Sequence, residues 1–405
     1  VPASSEALRG GLTERQLIVL IGCLLMLQPL ATDLYLVSLP GLTRTFATTV
    51  PVVQLTLSLF VAAFAVMQLW SGPLADRFGR RPVVIGGIAL YCGASLFCVI
   101  APGIGWLIAG RVLQAIGCCT AAVVARAIVR DVFDLGSGAR VMASASALLS
   151  LGPILGPILG AALETRFAHR GAFVALAAFS GALLWATIAK LHETNLHRDP
   201  TATDARALAR NYRDVLRSRE FLAYAAIGTL SYGGLFAFLA GCSFVLIRVL
   251  GLPVAWFGVA YALDVSGYLV GTLVARSLLP RRGLPATLRV GAWFALAAGL
   301  SYATLALVGV HHWLAILASQ FVYFFAHGIL FPGAMAGVVH PFPRHAGAAA
   351  GMFGFISMLI AALVGTWIGF SDNGTVYPLV LTIAAFAFAV FAVVLTTTTR
   401  QRHVS

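Results

Sequence analysis

Long apolar runs separated by short polar breaks fill this chain from about residue 16 to residue 396. Each run is about 20 residues or more, the length a helix needs to cross about 30 Å of hydrocarbon. The runs do not show the ten-residue alternation of membrane barrel strands. The pattern predicts twelve spans at about 16–39, 53–75, 83–101, 105–128, 138–163, 171–191, 220–247, 254–278, 287–309, 312–337, 346–370 and 376–396. The expected fold class is therefore an all-α membrane protein. Pro29 is expected to bend the first span.

One polar stretch is much longer than the others. Residues 192–219 are charged and hold no crossing run, although 204–218 suit an amphipathic surface helix. They divide the chain into expected bundles of six spans, 1–191 and 220–405. The dozen residues Gly72-Pro-Leu-Ala-Asp-Arg-Phe-Gly-Arg-Arg-Pro-Val83 make a tight water-side hairpin between spans 2 and 3. A weak echo, Gly271-Thr-Leu-Val-Ala-Arg276, ends span 8. Two related six-helix halves are a transporter plan, with a substrate site near the midplane between them.

Charge settles the expected orientation. Only 10% of residues are charged against 60% hydrophobic, and the net charge is +13. All Lys and Arg except Arg44, Arg111, Arg166, Arg170 and Arg248 fall on the side of the two termini. The positive-inside rule then makes the termini and the middle segment cytoplasmic, and it explains the basic balance without nucleic acid. The six Cys all lie in apolar runs, with no metal-ligand spacing and no disulfide framework. Nothing in the spacing points to a cofactor. The first run lacks a clear cleavage site and is followed by eleven more, so it is not taken as a removed leader.

Ionisable residues inside spans cost about 2.5 kcal/mol or more and are functional candidates by default. Asp33, Arg111 and Asp264 stand out. Asp33 in span 1 and Arg111 in span 4 fall at one depth, about 9 Å from the end opposite the termini. They either pair or share a cavity. In one reading Asp33 takes and releases a proton that Arg111 tunes; in the other they are a static pair locking two helices. Asp264 in span 8 is a second titrating group or a hydrogen-bonding one. Glu164 reads as a wetted residue at the end of span 5, and His327 as locally hydrogen-bonded.

The repeat Gly152-Pro153-Ile-Leu-Gly156-Pro157-Ile-Leu-Gly160 places three glycines on one helix face and limits bending to defined positions. Gly267 and Gly271, and Gly347 and Gly351, repeat the spacing. Such faces suit a contact between halves that closes and reopens, or ordinary tight packing. In the hairpin, Asp76 is placed to accept hydrogen bonds from the start of span 11, and Arg80 to pair with Asp131. These charges are either an inner latch or solvated groups that orient the loop.

Together these segments resemble the major facilitator superfamily. The 72–83 hairpin is similar to its loop 2–3 signature. Ile108-Ala-Gly-Arg-Val-Leu-Gln-Ala-Ile-Gly117 resembles the span 4 motif with its Arg at 111, and Ser150–Gly160 resembles the antiporter motif. Ala31-Thr-Asp-Leu-Tyr-Leu-Val-Ser-Leu-Pro40 resembles span 1 of twelve-helix drug:proton antiporters, in particular the chloramphenicol and bicyclomycin resistance branch. Val37 departs from a frequent Pro of that branch, and Asp33 is the single acid of span 1. The resemblance implies two pseudo-symmetric six-helix bundles, alternating access driven by proton entry at Asp33, and a latch at Asp76 and Arg80. It also implies a cavity lined by spans 1, 4, 7 and 10 with parts of 5, 8 and 11, with candidates Tyr35, Tyr232, Phe236, Tyr261, Phe324, Met352, Phe355 and Met358. The expected function is proton-coupled efflux of small, mostly hydrophobic compounds. The alternative is a proton-coupled carrier of one metabolite, such as a nucleoside, amino acid or sugar. An enzyme is not expected. The expected setting is a bacterial inner membrane, with the chain a monomer surrounded by lipid.

Overall fold

A computed structural model describes residues 12–342 and 346–402. The first half comprises α1 (Glu14–Leu36), the short α2 (Leu39–Thr45), α3 (Val50–Phe78), α4 (Arg80–Val99), α5 (Ile104–Val132), α6 (Leu135–Leu149) and α7 (Leu151–Lys190). After α8 (Ala205–Leu216) come α9 (Arg219–Ser243), a π-helical turn (Phe244–Val249), α10 (Val254–Val308), α11 (Trp313–Val339), α12 (Ala346–Ser371) and α13 (Tyr377–Arg402). The described residues hold no strand, in line with the expected class.

Two of these helices each contain two spans. The 40-residue α7 turns at Ala168 (φ 51°) and the 55-residue α10 turns at Gly283 (φ 72°). Gly283 adopts that angle freely, whereas Ala168 takes a glycine-favouring conformation at a cost of about 1–3 kcal/mol. Conversely, the fifth span is not one helix. It breaks at Ser150 between α6 and α7. Pro153 supplies the reason: it has no N–H for the carbonyl four residues back, and its ring crowds that carbonyl. With α6 joined to the first arm of α7, and α7 and α10 each divided at its turn, the crossings number twelve among the described residues. The sequence places them within a few residues at most boundaries.

The outer surface is apolar. Trp185 and Leu307 are 70% and 87% exposed, which is costly in water and ordinary in lipid. Packing inside depends on close approach, because lipid gives apolar helices little reason to associate. Gly365 of α12 faces Ser58 of α3, where an added Cβ would lie 2.7 Å from the hydroxyl. Gly267 of α10 lies against the Phe321 carbonyl in the same way, at 2.6 Å.

The start of the polar middle stretch folds onto the first half, whereas α8 packs mainly against α9 and α12 of the second. Glu193 accepts hydrogen bonds from the backbone N–H of Arg80 (2.8 Å) and of Arg81 (3.3 Å), capping α4. Arg81 donates to the carbonyls of Leu191 (2.7 Å) and Ile188 (3.0 Å). The expected amphipathic helix is α8. Asp204 caps it through the Arg206 N–H at 2.9 Å, Val215 is buried, and the Tyr212 hydroxyl donates to the Leu69 carbonyl at 3.0 Å. At the start of α6, hydrogen bonds from the Ser137 side chain and N–H hold the Asp134 carboxyl below the usual carboxylate range.

Candidate functional site

The hairpin residues come together in the first half. Arg80 is 4% exposed and reaches Asp131 at 2.8 Å through Nε and Asp76 at 2.6 Å through Nη1. The expected Arg80–Asp131 pair is therefore present, and it joins α4 to α5. Asp76 is spent on Arg80 one turn away and is 42% exposed. Residues 343–345, which lead into α12, lie outside the described residues, so the expected contact of Asp76 with that entry does too. At the hairpin, the anion at a helix N-terminus is Glu193 on α4. Sequence reading missed it. Its signal was an acid just past the sixth span, opposite the hairpin's N–H groups.

Asp33 and Arg111 share a depth, as expected, but they do not meet. Among the described residues no ion pair joins them. Arg111 is fully buried. Its Nη1 donates to the Ala31 carbonyl and to Gln114 Oε1, both at 2.9 Å, and its Nε donates to the Thr56 carbonyl at 3.4 Å. The guanidinium sits over the rings of Phe60 (4.2 Å) and Tyr35 (4.8 Å), within cation–π range. Gln114 in turn donates to Ser95 at 2.7 Å. The physical reason is geometric. A planar fork of five donors fits carbonyls and an amide at once, and α5 presents it to the α1 backbone two residues before the acid. Arg111 thus holds the acid-bearing segment without touching the acid.

Asp33 faces elsewhere. It is 3% exposed. Its Oδ1 accepts from Thr32 Oγ1 at 3.3 Å and from the Tyr261 hydroxyl at 3.4 Å. Tyr261 belongs to α10, in the other half. A carboxylate in the first half is therefore read by a phenol in the second. Tyr261 packs in an aromatic group with Phe238, Phe257 and Phe324 at centroid distances of 6.1–6.5 Å.

The glycine repeat closes around the same acid. A Cβ on Gly156 would lie 3.1 Å from Asp33 Cβ; Gly152 faces Met26 and Pro29, and Gly160 faces Leu34. The stripe was expected to suit a contact between halves, yet all three glycines pack on α1 of their own half. The contact across halves is made by the backbone of Pro157 and Ile158. Gly258 of α10 meets it, with its Cβ position 2.6 Å from the Pro157 carbonyl. Gly267 and Gly271 pack on α11 within their own half. Gly351 faces the Gln68 carbonyl of α3 and Gly347 faces Arg130 of α5, so the α12 pair does cross. Gln54 of α3, fully buried, adds a hydrogen bond to the Ala240 carbonyl of α9.

The remaining candidates divide. Tyr35 is buried beside Arg111, and its hydroxyl donates to Thr56 at 2.9 Å, so it belongs to the Arg111 cluster. The Tyr232 hydroxyl donates to Met358 Sδ at 3.6 Å, and its ring lies tilted against Phe236 and His327. Phe236 and Phe324 are buried, Met352 is buried beside Phe353, and Phe355 is half-buried. His327 hydrogen-bonds Ser231 at 2.8 Å, a local role as expected. Glu164 is half-buried and accepts from Ser38, tying α7 to the end of α1. Asp264 of α10 is 2% exposed, and its Oδ2 has no hydrogen-bond partner.

Comparison with known proteins agrees with this architecture. Residues 21–366 match the profile of the Major Facilitator Superfamily. A bicyclomycin resistance protein homolog of Haemophilus influenzae is 26% identical over 91% of this chain and 92% of its own. The multidrug resistance protein MdtL of Escherichia fergusonii is 30% identical over 85% of this chain and 86% of its own. Among solved structures, a mutant of the nucleoside transporter NupG superposes with a TM-score of 0.74 at 12% identity, over 95% of this chain and 99% of that one. An inward-facing bacterial homolog of the lysosomal transporter Spinster superposes with a TM-score of 0.69 at 16% identity, over 94% of each chain. At those identities the structures speak for the fold alone.

Proposed function

The chain belongs to the major facilitator superfamily, and from that premise we propose that it exports small, mostly apolar drugs in exchange for protons. Two relatives whose names record bicyclomycin and multidrug resistance support the substrate class. One observation carries the mechanism. Asp33, buried on α1, accepts a hydrogen bond from Tyr261 of the opposite half. A proton gained or lost at that carboxyl changes what Tyr261 is bound to, and so biases the contact between halves. Arg111 fixes the Ala31–Asp33 segment so that the carboxyl stays aimed at Tyr261. Gly156 lets α7 lie directly on it, and Pro157 carries the same helix onto Gly258. Proton, span 1 and the contact between halves then form one mechanical unit, as alternating access requires.

Tyr232, Phe236, Tyr261, Phe324, Met352, Phe355 and Met358 supply the apolar and sulfur surface toward the second half. Aromatic and Met side chains accept varied apolar partners. Asp264 is the second buried acid able to exchange a proton. Arg80, Asp76 and Asp131 brace the linker end of α3, α4 and α5 while the halves move. In this reading the protein works as a monomer in a bacterial inner membrane, with residues 1–191 and 220–405 as moving halves and the linker side cytoplasmic.

The test is proton flux in liposomes holding purified protein under an imposed pH gradient. Bicyclomycin, chloramphenicol, lipophilic amines, nucleosides and sugars are added in turn. A drug is expected to drive proton movement in wild type and not in Asp33→Asn. Coupling to a nucleoside or sugar alone would replace export of drugs by a metabolite carrier. Full coupling in Asp33→Asn would remove that residue from the mechanism.

A further inference from the structure

The first arm of α10 and helix α11 touch near their middles and spread apart toward the end away from the linker. They meet where Gly267 lies on the Phe321 carbonyl and Gly271 on Phe325 and Gly328. Beyond that contact the gap is a groove of about 730 Å³, with Trp256, Leu263, Trp313, Leu317 and Phe321 among its walls. The volume is within the range of small-molecule sites, about 300–1,000 Å³. Trp256 and Leu263 are each 63% exposed on the outer surface, so the groove opens sideways to lipid and not toward the other half.

Asp264 lies at the inner end of this groove. Among the described residues it is the one ionisable side chain that lines it. It stands ten residues inside α10, about 15 Å from the helix start. Its Oδ2 is buried without a partner, and so is Nε2 of Gln320 on α11, whose Oε1 accepts from Tyr302 at 2.7 Å. A buried acceptor left without a donor costs about 1–3 kcal/mol, more when charged. A ligand able to satisfy that oxygen therefore gains more here than an apolar ligand does.

We propose that this groove binds a lipophilic cation taken from the membrane, with the Asp264 carboxylate as its counter-charge. The apolar walls bury the body of such a molecule. The faces of Trp256 and Trp313 favour a cation over a neutral isostere. An anion would meet the carboxylate. A lipid headgroup amine belongs at the membrane surface, about 15 Å from Asp264, and acyl chains would leave the carboxylate unsatisfied. Neither Asp33 nor Tyr261 lines the groove, although Asp264 stands three residues beyond Tyr261 on α10. It sharpens the substrate class of the proposed exporter, and it depends on that reading only for where the cation goes next.

The test is equilibrium binding of tetraphenylphosphonium, whose charge does not titrate, to the full chain in nanodiscs of neutral phosphatidylcholine without a pH gradient. The neutral triphenylphosphine oxide is measured alongside. Asp264→Asn is expected to weaken phosphonium binding at least tenfold and to leave the neutral compound unchanged. Ala318→Trp, which fills the groove from its lipid-exposed wall, is expected to weaken both. Phosphonium affinity indifferent to both substitutions would overturn the proposal. Loss with Asp264→Asn alone, with Ala318→Trp harmless, would overturn it as well, because the cation would then reach the acid from the interior. Since binding is read without flux, neither result bears on proton coupling at Asp33.

Discussion

Arg111 and Asp264 are both ionisable side chains deep in the membrane, one in each half, and their surroundings differ in kind. Arg111 bonds through Nε and Nη1 to two carbonyls and an amide oxygen and lies against two ring faces, with Nη2 alone left unpartnered. In the second half, Oδ2 of Asp264, Nε2 of Gln320 and Oγ of Ser243 all lack partners. A mostly saturated cluster holds a backbone still, which is what a proton-bearing segment needs. An unsaturated one retains binding capacity, which is what a ligand uses. The same cost of burying charge is thus turned to rigidity in one half and to recognition in the other.

The largest test of this contrast removes the mostly saturated member. Arg111→Ala strips charged hydrogen bonds worth about 1.5–3 kcal/mol each. It is expected to lower thermal stability in detergent by about 3 kcal/mol or more and to stop transport. Arg111→Lys should fail nearly as badly, since an ammonium cannot serve the same oxygens in one plane. Lysine at wild-type stability would mean that charge alone, not the fork, holds α1.

Next in size is the meeting of the halves. Gly258→Val puts a branched side chain where Pro157 and Ile158 lie, and overpacking costs about 1–3 kcal/mol. Because that cost falls only on the arrangement in which α7 and α10 touch, spin-label distances across this end should lengthen and transport should drop about tenfold. Unchanged distances would show that the helices part by sliding elsewhere.

The unsaturated cluster should respond with the opposite sign. Asp264→Leu, without ligand, is expected to leave thermal stability unchanged or to raise it by about 1 kcal/mol, since an unpaired buried group is lost. A drop of the Arg111 size would erase the contrast between the halves.

Two smaller effects refine the picture. Tyr261→Phe keeps the aromatic packing and deletes one hydrogen bond to Asp33, worth about 0.5–1.5 kcal/mol. Transport should fall several-fold while stability changes little, and the pH dependence of flux should move. Glu193→Gln weakens the cap on α4 by roughly 0.5–1 kcal/mol. It should raise amide exchange at the start of α4 and leave exchange in α10 alone. Faster exchange in both would couple the linker to the second half.

Much of the fold was legible because it rests on local quantities. Span length, the position of Pro and Gly, and the sidedness of Arg are properties of short windows, and lipid forces every crossing segment to satisfy its own backbone. A bend in the fifth span was legible from Pro153, but not that the helix breaks at Ser150, and the amphipathic helix expected over 204–218 is α8. The Arg80–Asp131 pair was legible too, since both residues end helices on the same side.

The partners of the buried groups were not legible, because they depend on how helices rotate about their axes. Depth follows from counting residues, so Asp33 and Arg111 could be placed on one level. Whether they face each other depends on rotation and crossing angle, which the fit of whole helix surfaces decides. Tertiary structure turned Arg111 to the Ala31 carbonyl and Asp33 to Tyr261. It also set the Gly152–Gly160 stripe on α1, left Gly258 to meet the other half, and opened a lipid-facing groove beside Asp264. The sequence by itself determined the twelve crossings and which charges lie inside the membrane, because one-dimensional hydropathy against lipid is enough for both. Only the folded chain decided what each charge faces, because facing is a property of packed surfaces far apart in sequence.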